Sequence, residues 1–180
     1  MEIIARIEKG QFHSWIDRQE LNNSDYHYRC INIAIFNHDG KILVQQRSQE
    51  KTIQPLHWDI SVAGHIPKED YPNEHDDGYK KAREKSAHRE LLEELGIETN
   101  LIFVMETQPA KDYHREYISF FVGIYEGPFQ LQIEEVAQVQ FVDLCTLTTL
   151  QPKTKQLQWM MNTKIIHRLA NYKVSHDTNQ

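Results

Sequence analysis

The chain has 180 residues, of which 39% are hydrophobic and 26% are charged, a composition typical of globular domains. Its length fits one domain over residues 1–180 that buries a sizeable core. The net charge of −6 and the isoelectric point near 5.9 leave no excess of basic residues, so we exclude a nucleic-acid duplex as a partner.

Two features of the sequence indicate the compartment. The cysteines Cys30 and Cys145 lie far apart and match no metal-binding or disulfide spacing, which favours a reducing environment. The first ten residues are too charged for a signal peptide, and no apolar run approaches the length of a membrane span. We therefore expect a cytoplasmic protein without membrane association.

The predicted elements begin after residues 1–25, which are weakly patterned and are expected to add an edge strand or a cover. Isoleucine-rich and alternating runs then predict strands, and the turn signal His38-Asp39-Gly40 predicts a hairpin between the first two. These strands cover residues 29–37, 41–48 and 57–66. Residues 67–78 are polar and contain two prolines, which predicts an exposed loop with little apolar anchoring.

A helix is predicted over residues 79–95, and Gly96 supplies its C-terminal stop. Apolar residues at helical spacing predict a C-terminal helix over 155–172, within a helix-and-tail segment at 151–180. Between the two helices, strand-like runs occupy 101–107, 116–125, 129–132 and 139–144. The elements together predict an α+β or α/β sandwich with a mixed sheet and a core at about 28–150.

Three glutamates crowd the predicted helix 79–95. Residues three and four apart share a helix face, so Glu90, Glu93 and Glu94 repel one another by a few tenths of a kcal/mol per pair. Carboxylate oxygens suit a hard divalent cation, and magnesium also retains waters and substrate phosphates. Such a site would support diphosphate cleavage, with a carboxylate deprotonating the attacking water. The alternative is a solvated helix face whose glutamates pair with Lys85 and Arg89.

The run Arg89-Glu90-Leu91-Leu92-Glu93-Glu94-Leu95-Gly96-Ile97 resembles the second half of the Nudix box. The full pattern is Gly-x5-Glu-x7-Arg-Glu-U-x-Glu-Glu-x-Gly-U, with U aliphatic, and the run matches at every specified position. The resemblance implies the Nudix fold, an α/β/α sandwich, and a cofactor Mg²⁺ that Mn²⁺ can replace. It further implies metal ligands at Glu90, Glu93, Glu94 and Gly64, water activation by Glu93 or Glu94, and a loop-orienting ion pair from Arg89.

The first half of the box departs from the pattern. Gly64 is the best match to its glycine but lies 25 residues before Arg89 instead of 14, so we infer an eleven-residue insertion within residues 67–78. Glu69 is then the preferred substitute for the first glutamate, with Asp70 and Glu74 as alternatives. The partner of Arg89 depends on that choice.

Residues 43–66 resemble the branch of the family that contains isopentenyl-diphosphate isomerase and its hydrolase-like relatives. The resemblance implies that Arg47 and Lys51 bind the diphosphate, although both are also ordinary surface cations. His65 is a metal ligand or a structural histidine. The isomerase needs a cysteine just before its Gly-His pair, where this chain has Ala63. Hydrolysis is therefore favoured, because Cys30 and Cys145 belong to other predicted segments.

Three further carboxylates are candidates for the site. Glu116 begins a predicted strand near the position where the isomerase branch has site glutamates. Glu134 and Glu135 resemble the acidic pair that precedes the last strand of many Nudix hydrolases. For each of them, a solvated charge at a strand end is the alternative.

The sequence thus predicts a Mg²⁺-dependent hydrolase that cleaves the diphosphate linkage of a nucleoside diphosphate joined to another group. The alternatives are an isopentenyl-diphosphate isomerase and a non-catalytic ligand-sensing Nudix domain. The expected partner is a small-molecule diphosphate substrate, and a homodimer is compatible with the sequence.

Overall fold

The computed structural model describes residues 1–23, 26–73, 78–110 and 114–177. Nine strands and three α-helices occur in this part of the chain. In chain order they are β1 (Ile3–Glu8), β2 (Gln11–Asp17), β3 (Tyr28–Phe36), β4 (Ile42–Arg47), β5 (Trp58–Ile60), β6 (Val62–His65), α1 (Tyr79–Leu95), β7 (Ile102–Thr107), β8 (Glu116–Ile124), β9 (Val136–Val142), α2 (Lys155–Asn162) and α3 (Ile165–Asp177).

Strand β3 lies at the centre of the main, mixed sheet. It pairs in parallel with β8, from Tyr28 opposite Glu116 onward, and antiparallel with β6, where Cys30 is opposite His65. Strand β7 extends the sheet beyond β8, while β4 pairs antiparallel with β5 and β9. All residues of β3 are buried, because helices cover both faces of the sheet.

Side chains alternate between two cores along β3. Ile31, Ile33 and Ile35 pack in the core that contains Leu91 and Leu95 of α1. Ala34 and Phe36 of the same strand face the opposite core, which contains residues of α2 and α3. The predicted α/β/α sandwich is therefore confirmed.

Helix α1 has the predicted bounds. It ends at Gly96, which adopts a left-handed conformation with φ 64° and donates its N–H to the Leu92 carbonyl at 2.9 Å. Any Cβ at Gly96 would also lie 2.6 Å from Cβ of Gln130. Both the backbone conformation and the contact require glycine.

Three predicted elements differ in the structure. The strands of the predicted hairpin share the pair Phe36–Ile42 and then separate, because β6 and β8 pair with β3 while β5 and β9 pair with β4. The predicted strand 57–66 is divided at Ser61, whose hydroxyl bonds to two neighbouring backbones. The strand predicted over 129–132 is wrong, since its backbone instead donates to the carbonyls at the end of α1.

The predicted C-terminal helix is divided into α2 and α3 at Thr163 and Lys164. The Thr163 hydroxyl bonds back to the Trp159 carbonyl at 2.8 Å, and Lys164 has φ 59°, which interrupts the helix. No helix in the described residues combines the length and apolarity needed to cross a bilayer.

Strands β1 and β2 form a separate hairpin that covers the main sheet. Buried Ile4 and Ile7 attach it through bridges to Pro67 and His27. The loop after β6 is better anchored than expected, because Asp70 and Tyr71 are buried and the Tyr71 ring packs on Trp15 at 4.9 Å. The expectation of an exposed, weakly anchored segment is thus wrong for residues 67–71, and Glu74 lies outside the described residues.

The cap of α2 yields a stability prediction. Thr154 Oγ1 accepts from the Leu157 N–H at 3.0 Å and donates to buried Asp59 Oδ1 at 3.0 Å. Thr154→Ala should lower the free energy of unfolding by about 1–2 kcal/mol, because both bonds are lost. Thr154→Ser keeps the hydroxyl and should lose much less in urea denaturation. Equal losses in the two variants would show that the methyl group, not the hydroxyl, stabilises the cap.

Candidate active site

Helix α1 places its glutamates against strand β6. Gly64 of β6 leaves room for the Glu90 carboxylate, since a Cβ at this glycine would lie 2.3 Å from Glu90 Cδ. The strand-glycine-loop-helix arrangement therefore forms a cradle for one carboxylate against β6.

The Arg89 guanidinium connects the loop to the helix. Its Nε lies 3.0 Å from Asp70 Oδ2, its Nη2 3.0 Å from Glu90 Oε1, and its Nη1 2.8 Å from Glu93 Oε2. The Ser86 hydroxyl also donates to Asp70 Oδ2, at 2.7 Å. One cation thus orients two of the three glutamates and fixes the loop.

The preference for Glu69 as the partner of Arg89 is wrong. The Glu69 side chain is exposed, whereas Asp70 is buried and bears the ion pair. A local signal for Asp70 was present, because five residues separate it from Gly64, as in the Gly-x5-Glu half of the Nudix box. The inserted residues therefore follow Asp70 and precede Arg89.

Glu94 is the most enclosed member of the acidic group. It is 7% exposed and accepts a hydrogen bond from Gln45 Nε2 at 2.9 Å. Burial, with Glu90 beside it, raises the pKa of Glu94 to about 8, and burial also raises the pKa of Glu90 to about 7. The protein alone compensates this negative charge poorly, which favours uptake of a proton or a cation.

The predicted phosphate-binding cations line the same cavity as the α1 glutamates. Arg47 Nε donates to the Ile53 carbonyl at 3.2 Å, and its Nη1 lies 3.9 Å from Asp59 Oδ2. Lys51 forms an ion pair with Glu135. A diphosphate could therefore replace the protein partners of both cations, which are a backbone carbonyl and two carboxylates.

A second polar group lies at the start of β8. Glu116 accepts from the Tyr28 hydroxyl at 2.5 Å, and its other oxygen lies 3.1 Å from His114 Nδ1. Burial alone would raise the pKa of Glu116, but these two donors outweigh it and lower the pKa.

Burial, together with Arg18, lowers the pKa of His65 to about 4, so this imidazole is neutral at pH 7.

One cavity of about 360 Å³ brings together most of the predicted site residues. They are Arg47, Lys51, Gly64, His65, Glu90, Glu93, Glu94, Glu116 and Glu135. Glu134 is exposed on the segment before β9, and Arg89 acts on the glutamates from its bridging position. The cavity is also lined by residues that no sequence motif indicated, namely Glu2, Arg18, Cys30, Asn32, Asp59, Gln132 and Gln156. They come from separate elements, and no spacing rule joins them.

The donor set fits magnesium. No three acidic, histidine or cysteine side chains within the described ranges form a complete protein site for a metal. Magnesium does not require one, because it is typically held by one or two carboxylates together with waters and substrate phosphates. The cradle at Gly64 and the raised pKa values of Glu90 and Glu94 match such a partial site.

The fold and the arrangement of Gly64, Arg89 and the helix glutamates define a Nudix domain. The NUDIX domain family model matches residues 26–162, and the chain belongs to this family.

Known relatives lie in two groups. An uncharacterized Nudix hydrolase of Listeria monocytogenes is 32% identical over 117 residues, covering 62% of this chain and 61% of the relative. A second, from Pseudomonas aeruginosa, is 28% identical over 148 residues, covering 78% of each. The isopentenyl-diphosphate Delta-isomerase of Streptomyces avermitilis is 28% identical over 141 residues, covering 74% of this chain and 66% of the enzyme. The match thus spans less than two thirds of the Listeria protein.

Solved structures agree with the fold. DR0079 from Deinococcus radiodurans superposes with a TM-score of 0.70 at 16% identity, covering 90% of this chain and 98% of that one. The NUDIX domain of Shewanella oneidensis NrtR, complexed with ADP ribose, gives 0.56 at 17% identity, covering 83% and 97%. Identities this low support the fold alone.

The buried Glu94 yields a pH prediction for the metal-free protein. Its pKa rises from an ordinary 4.5 to about 8 on folding, so folding takes up a proton and the free energy of unfolding falls as pH rises through that range. Between about pH 5.5 and 7, above the unfolded pKa of Glu94 and below the folded one, this contribution reaches a slope of about 1.4 kcal/mol per pH unit, while the opposite contribution of His65 is common to the parent and the variant. Glu94→Gln should remove that contribution in urea denaturation with EDTA. Parallel profiles for the two proteins would contradict a protonated Glu94.

Proposed function

We propose that this protein is a Mg²⁺-dependent Nudix hydrolase that cleaves the diphosphate linkage of a nucleoside diphosphate joined to another group. The observation that carries the proposal is the shared cavity, in which the α1 carboxylates face Arg47 and Lys51. Diphosphate hydrolysis needs metal ligands and phosphate-binding cations at one place. Both cysteines are free in the described chain, which supports a cytoplasmic setting.

Glu90, Glu93 and Glu94, with the Gly64 carbonyl, are the residues that would hold Mg²⁺, or Mn²⁺ in its place. When bound, the ion would neutralise phosphate charge and lower the pKa of water. Arg89 keeps Glu90 and Glu93 directed toward the site.

The general base is either Glu94 or Glu93. Gln45 holds one oxygen of Glu94 and leaves the other to accept a proton from water. Glu93 is more exposed and has one oxygen on Arg89. A base must lie within hydrogen-bond reach of the attacking water, a condition that both carboxylates can meet from the cavity wall.

Arg47 and Lys51 bind the diphosphate by exchanging protein partners for phosphate oxygens. A further cavity of about 260 Å³ adjoins this position and shares Arg47, Asp59, Glu116 and Gln156 with the main one. Its walls include Trp159 and His114, whose rings lie 4.3 Å apart. This cavity receives the group attached to the diphosphate, and its mixed polar and aromatic lining suits a polar group better than a hydrocarbon chain.

The test of the proposal is metal-dependent turnover in a panel of nucleotide sugars, dinucleotides, nucleoside triphosphates and isopentenyl diphosphate. Glu93→Gln and Glu94→Gln should each lower kcat about 10²-fold or more, because a proton acceptor or charge-stabilising group is lost. Folding should be retained, because both substitutions keep the shape of the side chain, the Arg89–Glu93 ion pair is exposed, and Glu94 is largely protonated near pH 7.

Glu84→Gln is the matched control, because Glu84 is exposed on the same helix. Its turnover should equal that of the parent. If Glu93→Gln and Glu94→Gln also hydrolyse as fast as the parent, or if EDTA leaves turnover unchanged, helix α1 is not the active site.

Isopentenyl-diphosphate isomerisation is the second candidate, and one structural observation favours it. Cys30 lines the same cavity as Ala63 and Glu116, although it is distant from Ala63 in the sequence. It lies opposite His65 in the β3–β6 pairing, while Asn32 lies opposite Ala63. Burial raises the pKa of the Cys30 thiol, so it keeps its proton at neutral pH and gives it up less readily than an exposed thiol.

We predict that the protein with Mg²⁺ does not exchange solvent deuterium into isopentenyl diphosphate. Isomerisation needs a donor and an acceptor on opposite faces of the double bond, and Ala63 supplies neither. Mass spectrometry of the recovered substrate measures the exchange. Incorporation on the order of 1 s⁻¹ or faster would overturn the hydrolase assignment. Its loss in Cys30→Ser would then identify the thiol as the relocated group.

A further inference from the structure

We infer that Arg18, carried by the N-terminal hairpin, is a third phosphate-binding cation of the main cavity, and that Glu2 holds its guanidinium until a diphosphate arrives. The inference rests on the proposed function, because it assumes a diphosphate ligand. It assigns a binding role to a segment that the sequence presented as an edge or a cover.

The hairpin holds Arg18 in a defined position. Its backbone N–H donates to the Glu2 carbonyl at 2.9 Å, directly beyond the β1–β2 ladder. The hairpin is attached to the core through the Ile7 N–H, which donates to the His27 carbonyl at 2.8 Å. The Arg115 guanidinium also donates to the Leu21 carbonyl at 3.0 Å. The backbone of Arg18 is therefore held by a hairpin that is attached to the core.

Carboxylates outnumber permanent cations on the wall of the main cavity. Among the described residues its wall contains seven carboxylates and three permanent cations, Arg18, Arg47 and Lys51. A diphosphate adds negative charge, so each cation matters for binding. Glu2, Asp59 and Glu135 are the carboxylates that face these three cations.

Arg18 is the cation that can change partners most easily. Its side chain is 50% exposed, against 21% for Arg47 and 25% for Lys51. Its Nη1 lies 2.7 Å from Glu2 Oε2, and an ion pair this exposed contributes little to stability. A phosphate offers the planar guanidinium two charge-assisted hydrogen bonds, a stronger partner than a solvated carboxylate.

Arg18 also stands where two cavities meet. A cavity of about 490 Å³ on the hairpin side shares Glu2, Arg18 and His65 with the main cavity. Glu2 Oε1 lies 3.7 Å from His65 Nδ1, so Glu2 occupies the junction between the histidine and Arg18. A diphosphate that displaces Glu2 would meet Arg18 at this junction.

Isothermal titration calorimetry with inorganic diphosphate and with a methylene-bridged nucleoside diphosphate, both with Mg²⁺, tests the inference. Arg18→Gln should weaken binding about 10-fold or more, the scale of a lost charge-assisted hydrogen bond. Arg18→Lys should recover part of the affinity. Glu2→Gln should tighten binding, because Arg18 no longer has a competing partner.

Arg6→Gln is the matched control. Arg6 lies on the same hairpin, where its guanidinium stacks on the Tyr26 ring at 3.6 Å and pairs with Glu8, outside the cavity. If loosening of the hairpin caused the effect of Arg18→Gln, Arg6→Gln would weaken binding equally, and the inference would fail.

The double variant Glu2→Gln/Arg18→Gln separates two roles of Glu2. If Glu2 acts by holding Arg18, the double variant should bind like Arg18→Gln alone. If Glu2 merely repels phosphate, its removal should tighten binding to the same extent in both backgrounds, and the holding role is overturned.

The outcomes distinguish the inference from the proposed function. Metal-dependent hydrolysis with unchanged diphosphate binding by Arg18→Gln would overturn the role of Arg18 and leave the hydrolase intact. The predicted binding pattern without turnover of any diphosphate would support Arg18 and refute hydrolysis. Failure of the parent protein to bind either probe would overturn the inference. In a turnover assay, Arg18→Gln should raise KM with little change in kcat.

Discussion

The site depends on the ion pairs that the Arg89 guanidinium forms. The guanidinium pairs with Asp70 in the loop and with Glu90 and Glu93 on α1, which reduces the repulsion among these three carboxylates. Asp70 is buried, and a buried charge that loses its partner is strongly destabilising. The ion pairs therefore fix both the loop after β6 and the directions of the helix glutamates. With Gly64 giving space to Glu90, they bring the acidic helix face to the end of a strand.

The remaining charges of the cavity follow a common arrangement, in which each permanent cation faces a carboxylate. Lys51 faces Glu135 on the segment before β9, and Arg18 faces Glu2 on the hairpin. Such pairs keep the cations in place without a ligand and remain open to exchange. The buried glutamates of the same cavity lack enough cations, so the proposed divalent metal would supply positive charge to them while the proposed diphosphate would bind the exchangeable cations.

Neighbouring strands can supply similar chemical groups to one position, which complicates the division between hydrolase and isomerase. Ala63 lacks the thiol expected of an isomerase, yet Cys30 reaches the same cavity from β3. The alternation of side chains across a sheet explains this, because residues on paired positions face the same side. A residue missing from a motif can therefore be replaced by one distant in sequence.

By itself the sequence determined the features that depend on local spacing. The bounds of α1 follow from helical periodicity and the stop at Gly96, and the shared face of Glu90, Glu93 and Glu94 follows from their separation. The five-residue spacing from Gly64 favours Asp70, and the tertiary structure decided that this carboxylate meets Arg89. Glu69 and Asp70 are adjacent and chemically alike, and burial against α1 separates them.

Residues 129–132 have strand-like composition but bond to the end of α1, since a backbone takes the hydrogen-bond partners that its surroundings offer. Arg18, Glu2 and Cys30 reach the site from segments remote from the box, and no pattern in the chain records such contacts. Local order depends on neighbours in sequence, whereas a cavity depends on which surfaces packing brings together.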